Sequence, residues 1–310
     1  MNRKEVLNSI ERKNTKGFPL FFINRDFNLA DFRGTGIIDN EANIWGVDFH
    51  SLDNTMGQVG KAPIGSYHDW EKYKIPDPYK QGKFTHMDDF LKTNHEFATL
   101  VGTGIMGFNW CCFVRGMEDF MMDLYTDKSF ALEITDMVFN YMYGIIDQAC
   151  DYDIDFIRID DDAGTQEALM ISPTLWREIF KPRYAKIIDL IHKKGKKLWI
   201  HSCGMVDAII PDYIEIGLDV IELLQPDIFG VEYLGKNYGG KITFSCSVDH
   251  QRRAVQGSKE EIYDYVKKLS DNLNCFNGGL IGFIEFYNSL GMTEDNYNYI
   301  KEAFFKYARP

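Results

Sequence analysis

From about residue 150 onward, short β-branched apolar runs alternate with longer stretches in which apolar positions recur at helical spacing. DFIRID (155–160), KKLWIHS (196–202), DVIELL (219–224), KITFSC (241–246) and GLIGFIEF (279–286) read as strands. SPTLWREIFKPRYAKIIDLIHKKG, MVDAIIPDYIEIG, DIFGVEYLGKNYG and SKEEIYDYVKKLSDNL read as the helices between them. Ser172 before Pro173 has the form of an N-cap followed by proline at the first helical position, and Gly195 and Gly217 have the form of helix stops. Such alternation predicts a parallel sheet, because each helix carries the chain back to the starting edge before the next strand.

The first 150 residues have a weaker pattern. GFPLFFI (17–23) and ATLVGTGIM (98–106) are strand candidates, and residues 126–150 form one long amphipathic helix. The stretch 40–90 is rich in Asp, Gly, Pro and aromatics without a clear period, and reads as an elaboration of loops. No Gly-x-Gly-x-x-Gly follows a strand, so a dinucleotide-binding sheet has no support. The expected fold is a (β/α)8 TIM barrel spanning residues 1–310 as one domain. Residues 1–95 would supply an N-terminal elaboration and the first barrel strand, and residues 96–310 the regular βα units.

Charge narrows the partners. The net charge of −12, from 34 basic and 46 acidic residues, argues against nucleic acid and polyanionic substrates. The densest basic stretch, Lys193 to Lys197, closes a helix, where cations complement the dipole. With no leader pattern and no apolar run of membrane-spanning length, a cytoplasmic protein is expected. The six cysteines are too sparse for a disulfide framework, which leaves core thiols or metal ligands. Adjacent Cys111 and Cys112, read as extended chain, would point apart, so core packing is expected for at least one.

A barrel gathers its chemistry at the carboxyl ends of its strands. Asp160-Asp161-Asp162 and Gln166 follow the first of the later strands, His201 and Cys203 the second, Cys246 and His250 the fourth, and Glu285 and Tyr287 the fifth. In extended chain, residues two apart share a face, so His201 and Cys203 can converge on one ion. A thiolate with an imidazole suits zinc better than magnesium or calcium, and a catalytic site needs a third ligand, for which Cys246 and Glu285 are the candidates. Three adjacent carboxylates repel, so at least one pKa should be raised; Asp161 and Gln166 are the candidates for orienting or protonating a substrate. Asp160, Asn24, Trp110 and Tyr287 complete the candidate substrate contacts.

HSCG, taken with DDDAGTQ, MISPTLWREIFKPRY, GLDVIELLQP and the C-terminal GGLIGFIEFYNSLGMTEDNYNYIKEAF, resembles the uroporphyrinogen decarboxylase superfamily over nearly the whole chain. The resemblance implies a (β/α)8 barrel and one of two chemistries. Decarboxylases carry an arginine-rich N-terminal motif, whereas the matching stretch PLFFINRDFNLADFR retains only Arg25 and Arg33. The other branch transfers methyl groups with corrinoid proteins and binds zinc through a His-x-Cys, matched by His201 and Cys203, and a later Cys, at whose place Glu285 and Phe286 stand. Cys246 or Glu285 would then complete the site, and fewer thiolates would suit activation of a methyl ether oxygen. The expectation is a zinc methyltransferase moving a methyl group from a methylated small molecule, such as a methoxylated aromatic, to a partner corrinoid protein. A tetrapyrrole decarboxylase, a methylcorrinoid:thiol methyltransferase and a non-catalytic accessory protein are the alternatives, and a homodimer is left open.

Overall fold

A computed structural model describes residues 1–13, 16–23, 25–37, 44–50, 58–80 and 82–309. Its main sheet contains eight parallel strands in the order β1 (Leu20–Ile23), β10 (Leu280–Glu285), β9 (Thr243–Cys246), β8 (Val220–Leu223), β7 (Lys197–His201), β6 (Phe156–Asp160), β5 (Ala98–Ile105), β2 (Phe32–Gly36). The remaining pair, β3 (Asp48–His50) and β4 (Gln58–Lys61), forms a small antiparallel ribbon. β1 and β2 stand at the two ends of the order, and the seam between them carries the bonds Asp31 N–H to Leu20 O (2.9 Å) and Leu20 N–H to the Asp31 carboxylate (2.7 Å). The sheet is thus curled into a nearly closed (β/α)8 barrel, one domain as expected.

Strand alternation sorts the side chains. Phe32, Leu100, Phe156, Trp199, Val220, Ile281, Phe283 and Phe21 face the barrel interior and form its own cluster. Phe21 packs edge-on against Trp199 at 5.1 Å, and Phe32 against Trp199 at 5.5 Å, so aromatic rings plug the barrel below its carboxyl face. The alternate residues, such as Phe22, Val101, Ile157, Ile200, Ile221 and Ile284, belong to the larger core between sheet and helices.

The helices follow local signals. Ser172 caps Pro173–Ile179 by accepting from Leu175 N–H, and a second helix, Lys181–Lys193, continues the segment. Gly195 (φ 73°) and Gly217 (φ 88°) end their helices in the left-handed region. The basic stretch is a paired helix end: Lys193 meets Asp189, Lys194 meets Asp151, and Lys197 meets Glu11. Residues Lys128–Ala149 form the long amphipathic helix.

Two features differ from the sequence reading. β2 is a barrel strand that apolar periodicity does not reveal, because Phe32 is the sole large apolar residue in FRGTG and its neighbours are glycine, threonine and arginine. FNWCCFVR is a helix, Gly107–Arg115, and not extended chain; Cys111 and Cys112 are both buried in the outer core. Of the segment expected as loop elaboration, Trp45 stacks on Trp110 at 5.1 Å and meets Tyr141 edge-on at 4.9 Å, which fastens it to the helices beyond β5. Among the described residues, no helix is long and apolar enough to cross a membrane.

Candidate metal centre at the barrel mouth

β6 and β7 run side by side with Asp160 opposite His201, and β8 sets Glu222 opposite His201 in turn. Because Trp199 faces the interior, so do His201 two residues on and, as the chain leaves the strand, Cys203. The same parity carries β6 from Phe156 through Arg158 and Asp160 to Asp162. The outcome is a group in which ligand atoms of Asp162, His201 and Cys203 all lie within 4.8 Å of one another. Cys203 Sγ is 3.5 Å from His201 Nε2, which is itself 3.5 Å from Asp162 Oδ1. Ligands of a tetrahedral ion with bonds of about 2.0–2.3 Å stand about 3.3–3.8 Å apart, so the spacing fits such an ion.

The imidazole is oriented from behind. Its Nδ1 lies 2.9 Å from Glu222 Oε1, an ion-pair contact at the far side of the ring from Asp162 and Cys203. Glu222 is fully buried, and it accepts from Arg158 at 2.6 and 3.2 Å and from Trp199 Nε1–H at 2.7 Å. Burial opposes ionisation of Glu222, but Arg158 and His201 more than offset it and hold the carboxyl down to about 2. A carboxylate on Nδ1 leaves Nε2 aimed at the mouth, the arrangement that metal-binding histidines ordinarily use. Burial likewise opposes charge on His201, yet Cys203 and Glu222 hold the metal-free imidazole well above its usual range.

Asp162 has a second task, accepting from Cys203 N–H at 2.6 Å, and is itself fixed by Asn109, which accepts from its N–H at 2.7 Å. The β6 and β7 loops touch closely: Gly164 passes so near Met205 that a Cβ would stand 2.6 Å from its nitrogen, and Gly204 (φ 79°) would collide with Gly164 O. Gln225, after β8, accepts from Gly204 N–H at 3.2 Å and tethers the loop further.

The other candidates are distributed as follows. Asp160, half-buried and ion-paired to Arg158 at 2.7 Å, faces the mouth; burial raises its pKa against the pull of that arginine. Asp161 points the opposite way, into the outer core, where it accepts from Tyr184 Oη–H, Phe108 N–H and Asn109 N–H. Burial pushes it up to about 7 against those bonds, so its raised pKa accompanies a structural anchor for the helix Gly107–Arg115. Gln166 is exposed on the loop, 3.4 Å from Gln225. Trp110 packs on Trp45, and Asn24 lies outside the described residues.

The structure does not bring Cys246 to the metal group. Its register partners are Leu223 and Gly282, and it packs in the outer core with no exposed surface, where burial pushes the thiol well above its usual pKa. The physical reason is parity: Ser245 takes the inward position opposite Glu222, so Cys246 must point out. Glu285 does face inward, with Tyr287 and the charges of Glu222, Arg158 and His201 acting on it, and burial raises its pKa. It forms the wall of the mouth opposite β6 and β7, outside the group of three.

Of the three aspartates, sequence reasoning favoured Asp161, whereas Asp162 is the one that joins His201 and Cys203; Glu222 and Arg158 are the participants that it passed over. Their signal was single charges at inward parity, Arg158 in FIRID and Glu222 in VIEL, since an isolated charge inside a barrel needs a partner on a neighbouring strand.

A (β/α)8 barrel that converges an imidazole, a thiol and a carboxylate at its carboxyl face falls in the class whose chemistry sits on strand-end loops. Residues 38–278 match the family described as uroporphyrinogen decarboxylase (URO-D), and the chain belongs to that family. Among solved structures, a methyltransferase from Methanosarcina mazei shares the fold with a TM-score of 0.68 and 14% identity, over 97% of this chain and 83% of that one. A 3-keto-D-glucoside 4-epimerase from E. coli is similar at a TM-score of 0.45 and 10% identity, over 71% of this chain and 82% of that one. An intracellular xylanase from Thermoanaerobacterium saccharolyticum is similar at 0.41 and 13%, over 72% and 82%. No curated protein sequence is significantly similar to the chain.

Proposed function

We propose that this protein is a zinc-dependent methyltransferase that moves a methyl group from a methylated small molecule, such as a methoxylated aromatic, to a partner corrinoid protein. The observation that carries the reading is the convergence of Asp162, His201 and Cys203 at the ends of β6 and β7. The donor set of one oxygen, one nitrogen and one sulfur suits zinc, and three protein ligands leave a fourth position for substrate. The ion, when bound, supplies a Lewis acid that polarises the donor's heteroatom.

The chain's own residues do the rest. Glu222 and Arg158 keep His201 in one orientation, and Asp162 holds the Cys203 backbone, so the ligands need little reorganisation. Asp160 and Glu285 face the same mouth, and their raised pKa values suit carboxyls that exchange a proton with a leaving group. Membership of a family named for a decarboxylase keeps that chemistry as the rival, but the arginines it would use are engaged elsewhere. Arg25 pairs with Glu294 at 2.8 Å and lies 4.8 Å from the ring centroids of Phe286 and Tyr297. Arg33 donates to Ala30 O and Phe32 O at 2.8 Å and stacks on Phe97. The M. mazei methyltransferase supports the same choice.

The test is metal content of protein purified without chelator, together with methylation of a cobalt(I) corrinoid by a panel of methyl ethers, followed spectroscopically. Stoichiometric zinc that is lost in Cys203→Ala, with methylation lost in parallel, is expected. Protein that methylates cobalt(I) equally well without zinc would refute the metal role, and conversion of a porphyrinogen would favour the decarboxylase. Zinc binding without any methyl transfer would point to the accessory role.

A further inference from the structure

His250, in the loop after β9, is absorbed by none of the contacts above. Asp249 builds its turn, accepting from Gln251 N–H at 3.1 Å and Arg252 N–H at 3.3 Å, and Ala254 N–H bonds to Asp249 O at 2.9 Å. Ser247 Oγ–H donates to Leu224 O at 3.1 Å, so the loop is stapled to the exit of β8. The imidazole is therefore presented by a rigid turn. Its centroid lies 5.0 Å from that of Tyr287, which is tilted against it by 60°. The Tyr287 hydroxyl in turn feels both Glu285 and Cys203, and the charge of His201 reaches the His250 ring. His250 and Tyr287 thus belong to the wall of the mouth that faces the metal group.

The ring has no hydrogen-bond partner among the described residues, and its Nδ1 is sealed from solvent. The sealed Nδ1 is unmet in either neutral tautomer, at a cost of about 1–3 kcal/mol, and a proton carried on the unsealed Nε2 is the one that a bound molecule can reach. Burial lowers the pKa to about 4, so near neutral pH the ring carries no charge. The ring stands beside a mouth that already holds Asp160, Asp162, Glu222 and Glu285, and it has no carboxylate partner of its own among the described residues.

We propose that His250 is a substrate-binding residue whose neutral Nε2–H donates a hydrogen bond to an oxygen of an uncharged, oxygen-bearing small molecule held at the barrel mouth. This rests on the reading of the mouth as the substrate site, and it narrows the substrate to one with an ether, phenol or alcohol oxygen. The uncharged donor suits such oxygens and gives no advantage to a carboxylate-rich ligand.

Two measurements test it, using the zinc-loaded full chain and guaiacol as the probe. Calorimetric titration should give saturable binding to the wild type, weakened about tenfold or more in His250→Phe and largely restored in His250→Asn, which returns an N–H donor. Nitrogen NMR of 15N-histidine-labelled protein near neutral pH should show a neutral His250 protonated on Nε2, with that N–H shifting on addition of guaiacol. Equal guaiacol affinity in wild type and His250→Phe, no guaiacol binding by the wild type, or an Nδ1-protonated or cationic ring would each overturn the assignment. Methylation of cobalt(I) is read separately, so guaiacol binding through His250 without methyl transfer would refute the proposed reaction and leave this contact standing.

Discussion

Replacing Glu222 by Gln isolates the buried carboxylate that sets the whole mouth. The side chain keeps its shape and still offers an oxygen to Trp199 Nε1–H, but it loses the charge that neutralises Arg158 and orients His201. Arg158 would retain its contact with Asp160 at 2.7 Å. Removing one member of a buried ion pair typically costs about 3–5 kcal/mol, a large share of the roughly 5–15 kcal/mol that separates a folded domain from its unfolded chain. Independently, loss of a carboxylate behind a ligating histidine lowers metal affinity by about 10- to 100-fold, equivalent to about 1.4–2.7 kcal/mol. The assay has two readouts: thermal unfolding of metal-free protein, and zinc affinity by competition with a chelating dye. Both should fall in Glu222→Gln, and the stability loss should exceed the loss in binding energy. Unchanged zinc affinity in a folded Glu222→Gln protein would refute the idea that this carboxylate presents His201 to an ion.

Gly204→Ala should destabilise the protein by about 1–3 kcal/mol and lower zinc affinity with it, because the new Cβ at φ 79° meets Gly164 O and displaces the residue next to Cys203; a denaturant midpoint equal to wild type would contradict this. Chelator treatment should lower the melting temperature and zinc should restore it, since an ion bound only by the folded state stabilises by mass action; in Asp162→Ala the same additions should have a smaller effect. Far from the mouth, Asp219 raises the pKa of His192 through a 2.8 Å contact, so this pair stabilises the fold below the ordinary histidine pKa and loses its effect as pH rises through the folded value. His192→Gln should therefore reduce the melting temperature at about pH 5.5 more than at about pH 9, by a small amount because the pair is partly exposed; the opposite order would contradict the sign.

The later barrel strands were legible because each is a short run whose outward face is apolar, set off by helix caps and glycine stops that local chemistry enforces. β2 was not, since FRGTG owes its strand state to its neighbours; its edge is supplied by Ala98–Gly102 of β5 and not by its own propensity. The pair His201 and Cys203 was legible for the reason that any two residues spaced two apart in a strand share a face. Its partners were not, because they depend on which strands are adjacent and in what register. Asp160, Asp161 and Asp162 are three similar letters in the sequence. The register of β6 against β7 gives Asp160 to the mouth and Asp162 to the ligand group, and it turns Asp161 to Tyr184.

That same register decides the chemical character of the centre. Had Cys246 faced inward, the group would hold two thiolates, which donate charge to an ion and temper its pull on a bound oxygen. Ser245 holds the inward position, and Asp162 supplies a hard oxygen instead. A group with one thiolate, one imidazole and one carboxylate leaves an ion with more unspent Lewis acidity toward oxygen, and less affinity for a soft thiol. The His250 wall opposite agrees with this, since an uncharged N–H donor also selects for oxygen. The two sides of the mouth, built from different strands, therefore support the same proposed substrate chemistry: an ether or phenol oxygen, which an ion held from β6 and β7 would polarise and the loop after β9 would hydrogen-bond.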